Sequence, residues 1–363
     1  MKNVLTRLLL VVTISLVCSC SKHHNTPSPV YKQLNFLKTD HLSVGRRGLV
    51  GAASEGHLFF LGGADGPISL SANVDIYDVR KKSWTTSKLM RTRGAAAAAG
   101  AGDQIVIAGG TSGDSGPNTV EIFNLKDHTQ TSEVVDVKGS YLAAASAGNK
   151  IIFAGGYDYG IFKATDDADI YDVKTKKWSN SQLSVGRSYL AGAGIGNKIV
   201  FAGGCYEWLS KFADVVDIFT TTTGKWSTAH LSEPRGFLAA AAAGNKILFA
   251  GGLSPTGYSS TVDIYDIKTN KWKVSHLSEG RGYMTAVACG EKIIFAGGIN
   301  KSGISSSMDI YDVKTDSWTT AALGHGRAYL AAAAYGETVI FAGGLMENDL
   351  NADDADIYTL SPL

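Results

Sequence analysis

Pairs of adjacent glycines recur along the chain, beginning at Gly62, Gly109, Gly155, Gly203, Gly251, Gly297 and Gly343, with successive spacings of 47, 46, 48, 48, 46 and 46 residues. A length of 363 residues would otherwise suggest two or three domains, but a fixed period of this size means one structural unit stacked on copies of itself. Seven doublets imply seven units, and 42 glycines against 7 prolines suit a chain of many tight turns.

Each doublet closes an apolar run such as Lys198-Ile199-Val200-Phe201-Ala202, whose β-branched and aromatic content is that of a strand. A small-residue run precedes it, as at 238–243, joined by a Gly-Asn-Lys turn at Gly244, Asn245 and Lys246. After a variable loop stands Asp-Ile-Tyr or a close relative, led by Asp75, Glu121, Asp169, Asp217, Asp263, Asp309 and Asp356. A tryptophan follows in five units, at Trp84, Trp178, Trp226, Trp272 and Trp318. Four short strands per unit, named a to d in chain order, make an all-β chain: a seven-bladed β-propeller of four-stranded antiparallel blades. The amphipathic segments of helical solenoids are absent. Alanine-rich strand a fits the crowded axis. The last unit ends soon after Asp356-Ile357-Tyr358. An N-terminal strand near 36–42, with Leu37 at the tryptophan position, is therefore expected to supply its strand d and remove two free edges.

The recurring arginine, glycine doublet, tyrosine and tryptophan resemble the kelch repeat, over residues 36–363. Two units depart from it: the second has Phe123 for the tyrosine and no tryptophan, and the third has Gly139 for the arginine. In kelch domains of ubiquitin-ligase adaptors, arginines at this motif position grip an acidic peptide, so the resemblance implies a binding role for them.

Because strand a leaves one face and strand b returns to it, the start of a and the b–c loop must share that face. There stand Arg46, Arg93, Gly139, Arg187, Arg235, Arg281 and Arg327. Two residues further on come Gly48, Ala95, Tyr141, Tyr189, Phe237, Tyr283 and Tyr329. One reading is a cationic, partly aromatic funnel for a carboxylate, a sugar acid or an acidic peptide, since guanidinium forks hold carboxylates bidentately. The other is that each arginine bonds carbonyls of its blade and each tyrosine packs between blades. Departures from the repeat add Tyr206, Glu207 and Trp208 in the fourth b–c loop, and Tyr157, Tyr159 and Phe162 in the third. Aromatics on such loops can stack on sugars or anchor a protein partner. Glu347, Asp349, Asp353 and Asp354 in the seventh loop match no dedicated calcium-binding spacing.

With 34 basic and 33 acidic residues and no basic block, nucleic acid is not expected as a partner. Residues 1–19 read as a leader: Lys2 and Arg7, then the apolar run 8–17, too short to span a bilayer. Val17-Cys18-Ser19-Cys20 resembles a bacterial lipobox. That resemblance implies lipidation of Cys20 and, with Ser21 rather than aspartate next, an outer-membrane anchor; Cys18 fits less well, with bulky Val17 at its cleavage position. Secretion with both cysteines discarded is the alternative. Residues 20–35 read as a tether. Cys205 and Cys289 are expected on opposite sides, too far apart to pair. His41, His230 and His276 fall on different blades, so no copper-oxidase site of the kind found in some kelch-like enzymes is expected, nor any metal or cofactor. The expectation is a monomeric, non-catalytic binding or scaffold module for a carbohydrate or protein. The alternative is a sugar-acid mutarotase in which Glu207 works beside Arg187 or Arg235.

Overall fold

The structure is a computed structural model that describes residues 32–112, 119–135, 137, 139–207 and 210–362. The leader, Cys20, most of the expected tether and Trp208 lie outside these residues. The described residues contain no helix and form seven four-stranded sheets. Blade one comprises Val50–Ser54, His57–Leu61, Asn73–Asp78 and Ser83–Lys88, paired in that order. The fourth has the same order in Ala191–Ile195, Lys198–Ala202, Val215–Thr220 and Lys225–His230. Each innermost strand packs on the next, and that of the seventh blade packs on that of the first, so the sheets close a ring. The chain is a seven-bladed β-propeller.

The small residues of strand a have a direct steric cause. A methyl group at Gly51 would lie 2.2 Å from the Ala332 carbonyl oxygen of the neighbouring innermost strand, and one at Gly100 would lie 2.2 Å from that of Ala53. Strand b is the opposite case: Ile199 and Phe201 are sealed against Ile152 and Ile170 of the preceding blade, and Trp226 closes that cluster from outside. Indole N–H groups tie the same seam. Trp226 donates to Ser181 Oγ at 2.8 Å and Trp318 to Ser275 Oγ at 2.9 Å.

The doublets are joints between blades. Both Gly203 and Gly204 adopt positive φ, 64° and 108°. The Gly204 N–H donates to the carbonyl of Arg235 in the next blade at 2.8 Å. A Cβ at Gly203 would stand 2.4 Å from that same oxygen, so only glycine fits.

Blade seven closes with Ala331–Tyr335, Thr338–Ala342 and Asp354–Pro362 from the C-terminal end and Lys32–His41 from the other. The N-terminal strand begins at Lys32 and so takes in residues 32–35, which the sequence reading gave to the tether. Its register also differs from expectation. Phe36, not Leu37, pairs with Tyr358, because the ladder shifts between Phe36 and Lys38. The extra residue is a β-bulge that an ungapped alignment with Trp226 cannot show.

Candidate functional site

At the mouth where strand a begins, one residue per blade adopts the left-handed conformation: Gly48, Ala95, Tyr141, Tyr189, Phe237, Tyr283 and Tyr329, with φ between 52° and 60°. Their backbones join hand to hand. The N–H of Tyr189 donates to Tyr141 O at 2.9 Å, Phe237 to Tyr189 at 3.0 Å, Tyr329 to Tyr283 at 3.0 Å and Gly48 to Tyr329 at 2.8 Å. The five aromatic rings therefore follow one another around the mouth, stacked between Tyr141 and Tyr189 and tilted by 38° to 46° in the other three pairs. Centroid separations are 4.2 Å for Tyr141–Tyr189, 4.1 Å for Tyr189–Phe237, 4.6 Å for Phe237–Tyr283 and 4.8 Å for Tyr283–Tyr329.

The crescent spans blades three to seven and stops, because Gly48 and Ala95 carry no ring. Beside the gap lies a cavity of about 670 Å³, lined by the five rings, Gly48, Ala95, Thr111 and the charged Arg47 and Asp349. A Cβ at Gly48 would meet nothing within 4 Å. Within the crescent each ring leans on its neighbours, and side-chain hydrogen bonds join Tyr141 to Tyr189 and Tyr283 to Tyr329. Tyr329 ends the crescent next to the ringless Gly48 and is the most exposed of its five aromatics at 37 %. Burial raises the pKa of Tyr189, Tyr283 and Tyr329, so these hydroxyls stay neutral hydrogen-bonding groups.

The expected cationic funnel is corrected here. Arg46, Arg187, Arg235, Arg281 and Arg327 are 0 % exposed and Arg93 is 5 % exposed. Each guanidinium turns into its own blade toward the acidic residue that leads strand c. Arg187 Nη2 donates to Asp217 at 2.8 Å and Arg281 Nη2 to Asp309 at 2.7 Å. Arg46, Arg235 and Arg327 bond Asp75, Asp263 and Asp356 in the same way, and Arg93 Nε lies 3.4 Å from Glu121. Other donors hold carbonyls, as in Arg235 Nη1 to Gly251 O at 3.0 Å, while the buried Nε of Arg46, Arg187, Arg235, Arg281 and Arg327 meets no hydrogen-bond acceptor among the described residues. Desolvation lowers the pKa of Arg46, Arg235 and Arg327, with the facing aspartates opposing it. In blade three, where Gly139 replaces the arginine, Asp169 accepts from Asn180 Nδ2 at 3.0 Å. A buried charge needs a buried partner; the acidic residue recurring in every unit was the signal that each arginine is spoken for.

Arg47 is the cation that does line the cavity, and it was missed. It donates to Asn351 Oδ1 at 3.2 Å. The equivalent positions are Gly94, Ser140, Ser188, Gly236, Gly282 and Ala328, so an arginine there departs from the repeat. The pairing of Arg47 with Ala64, Gly94 with Thr111 and Ser188 with Cys205 places the start of strand a and the b–c loop on one face, as the chain path requires.

Among the loop aromatics, Tyr159 is 42 % exposed, packs edge-on to Tyr157 at 5.1 Å and shares a hydrogen bond with Tyr141. Burial and Tyr141 push its hydroxyl up to about 12. Tyr157 and Tyr159 line a second hollow of about 390 Å³ with Thr111 and Gly139, next to the main cavity. Tyr206 is half-buried beside the buried Cys205. Glu207 is exposed, pairs with Lys211 at 2.7 Å and does not line the cavity. Cys205 and Cys289 are both free, their thiols pushed up by burial to about 12 and about 11. His41, Asp353 and Asp354 bring ligand atoms within 4.8 Å of one another, with His41 3.4 Å from Asp353 and His325 2.8 Å from Asp354. The exposed pair His230–Asp214 at 3.2 Å is similar, so His–carboxylate contacts of this kind recur on the surface.

Residues 191–362 match the KLHDC2/KLHL20/DRC7 Kelch-repeats domain, which runs here from strand a of blade four to strand c of blade seven. No curated protein matches the chain. The domain match and the seven four-stranded blades together support a kelch β-propeller.

Proposed function

We propose that this chain is a non-catalytic binding module, held outside a membrane by a lipid on Cys20, that takes a sugar into the gap of its aromatic crescent. The observation that carries the reading is the interruption of the ring at Gly48 and Ala95, beside a cavity with one cation, Arg47. A pyranose ring can lie on the open face of Tyr329 while tyrosine hydroxyls and Thr111 bond its hydroxyls. Arg47 can hold the carboxylate of a sugar acid through its fork. The mutarotase alternative rested on Glu207. Its hydrogen bond with Lys211 holds that carboxyl below the usual range, which suits a surface ion pair better than a proton carrier.

The test is a glycan array probed with wild type and with Gly48→Tyr and Ala95→Tyr. Four of the other blades place tyrosine at this position with φ of 54° to 58°, so both variants are expected to fold and to fill the gap. Loss of glycan binding with unchanged melting supports the site. Retained binding rejects it, and binding only to envelope proteins in a pull-down replaces the sugar by a protein ligand. Palmitate labelling lost in Cys20→Ser tests the anchor.

A further inference from the structure

Five blades carry the strand-d tryptophan, and in each it packs against the cluster that holds the motif isoleucine of the preceding blade. Trp84 packs on the cluster of Ile357, Trp178 on that of Ile122, Trp226 on that of Ile170, Trp272 on that of Ile218 and Trp318 on that of Ile264. In blade two the register sets Gln130 opposite Phe123, as Trp84 is set opposite Tyr77. Gln130 does not fill the place: its amide donates to Lys88 O at 3.0 Å and Glu121 Oε2 at 2.9 Å. Ile76 of blade one is accordingly partly exposed, while its six counterparts, Ile122, Ile170, Ile218, Ile264, Ile310 and Ile357, are all buried. A cavity of about 320 Å³ remains, floored by Phe59, Ile76 and Phe123 and edged by Ser87 and His128.

The occupied seams also show what the empty one would bond. Trp84 donates to Asp40, Trp178 to Glu133, Trp226 to Ser181 and Trp318 to Ser275. These acceptors share one register position, opposite Ala355, Val120, Ala168 and Val262. In blade one that position, opposite Val74, is Ser87. We infer that the groove between blades one and two is a binding slot for an indole ring that none of the described residues supplies, with Ser87 accepting the indole N–H. The slot lies between outer strands, away from the mouth.

Ligand-observed NMR titrations of the full propeller with indole, 1-methylindole, tryptophan and N-acetyl-tryptophanamide test this. Indole is expected to bind roughly fivefold more tightly than 1-methylindole, the worth of about one neutral hydrogen bond, and Ser87→Ala to erase that difference. Gln130→Trp, which restores the residue five other blades carry, is expected to abolish binding and raise the melting temperature. Preference for N-acetyl-tryptophanamide over indole indicates a tryptophan presented by a polypeptide; the reverse indicates a free metabolite. No binding of any of the four at millimolar concentration, or undiminished binding in Gln130→Trp, overturns the inference. Gly48→Tyr must leave indole binding intact, which separates this slot from the mouth.

Discussion

Arg187 donates to Asp217 at 2.8 Å with the two side chains 0 % and 1 % exposed, and the second carboxylate oxygen of Asp217 accepts the backbone N–H of Ser184 at 3.0 Å. One aspartate thus fastens strand c to the linker that enters its own blade. Removing one partner of a buried pair strands the other charge. Arg187→Ala should cost about 3–5 kcal/mol in urea unfolding, and Arg187→Met with Asp217→Leu should recover most of it. A single-variant loss below about 1 kcal/mol would mean that the pair is solvated in solution.

The crescent should separate stability from binding. Phe237 is 8 % exposed and sandwiched between Tyr189 and Tyr283, so Phe237→Ala should destabilise by about 3–5 kcal/mol. Tyr329 ends the crescent and is 37 % exposed, so Tyr329→Ala should cost clearly less in unfolding while removing ligand binding. Equal thermal shifts for the two variants would contradict the proposed division.

Acid sensitivity follows from the turns on the opposite side. Lys150 Nζ donates to Asp172 at 2.6 Å, and the N–H groups of Lys174 and Thr175 each donate at 3.0 Å. The Lys150 hydrogen bond, against a burial cost and with help from the Thr175 N–H, holds this carboxyl well below its ordinary 3.8. A carboxyl depressed in the folded state stabilises fully above its unfolded value, and that contribution fades as pH falls through the folded one. Urea midpoints should hold from pH 7 to about 5 and drop toward pH 3, and Asp172→Asn should flatten part of that limb.

Deleting residues 32–41 should expose the outer edge of Asp354–Pro362. The expected result is self-association in size-exclusion chromatography and a broadened thermal transition. A monomer with unaltered melting would show that the closing strand contributes nothing to the ring.

The blade count, the four-strand unit and the N-terminal closure could be read from the glycine period, because doublets are imposed by backbone contacts that no other residue permits. What the arginines do was harder to read. Their position on the ligand-facing side is legible, yet their direction depends on Asp75, Asp217 and their counterparts, 28 to 30 residues on in sequence and adjacent only once strand c has paired with strand b. Arg47 hid beside Arg46, one residue out of the motif. The missing tryptophan of blade two was visible as a departure. That it leaves a hollow, and that Ser87 faces that hollow, emerges only when two blades are set side by side.

The pairing of Lys32–His41 with Asp354–Pro362 also dictates an order of events. Of the described strands, Lys32–His41 emerges first in synthesis and must wait for Asp354–Pro362, more than 300 residues later, before it has this neighbour. Ring closure is thus the longest-range step in folding and is expected to come late. Until then the outer edges of both strands stay unmated and open to pairing with another chain.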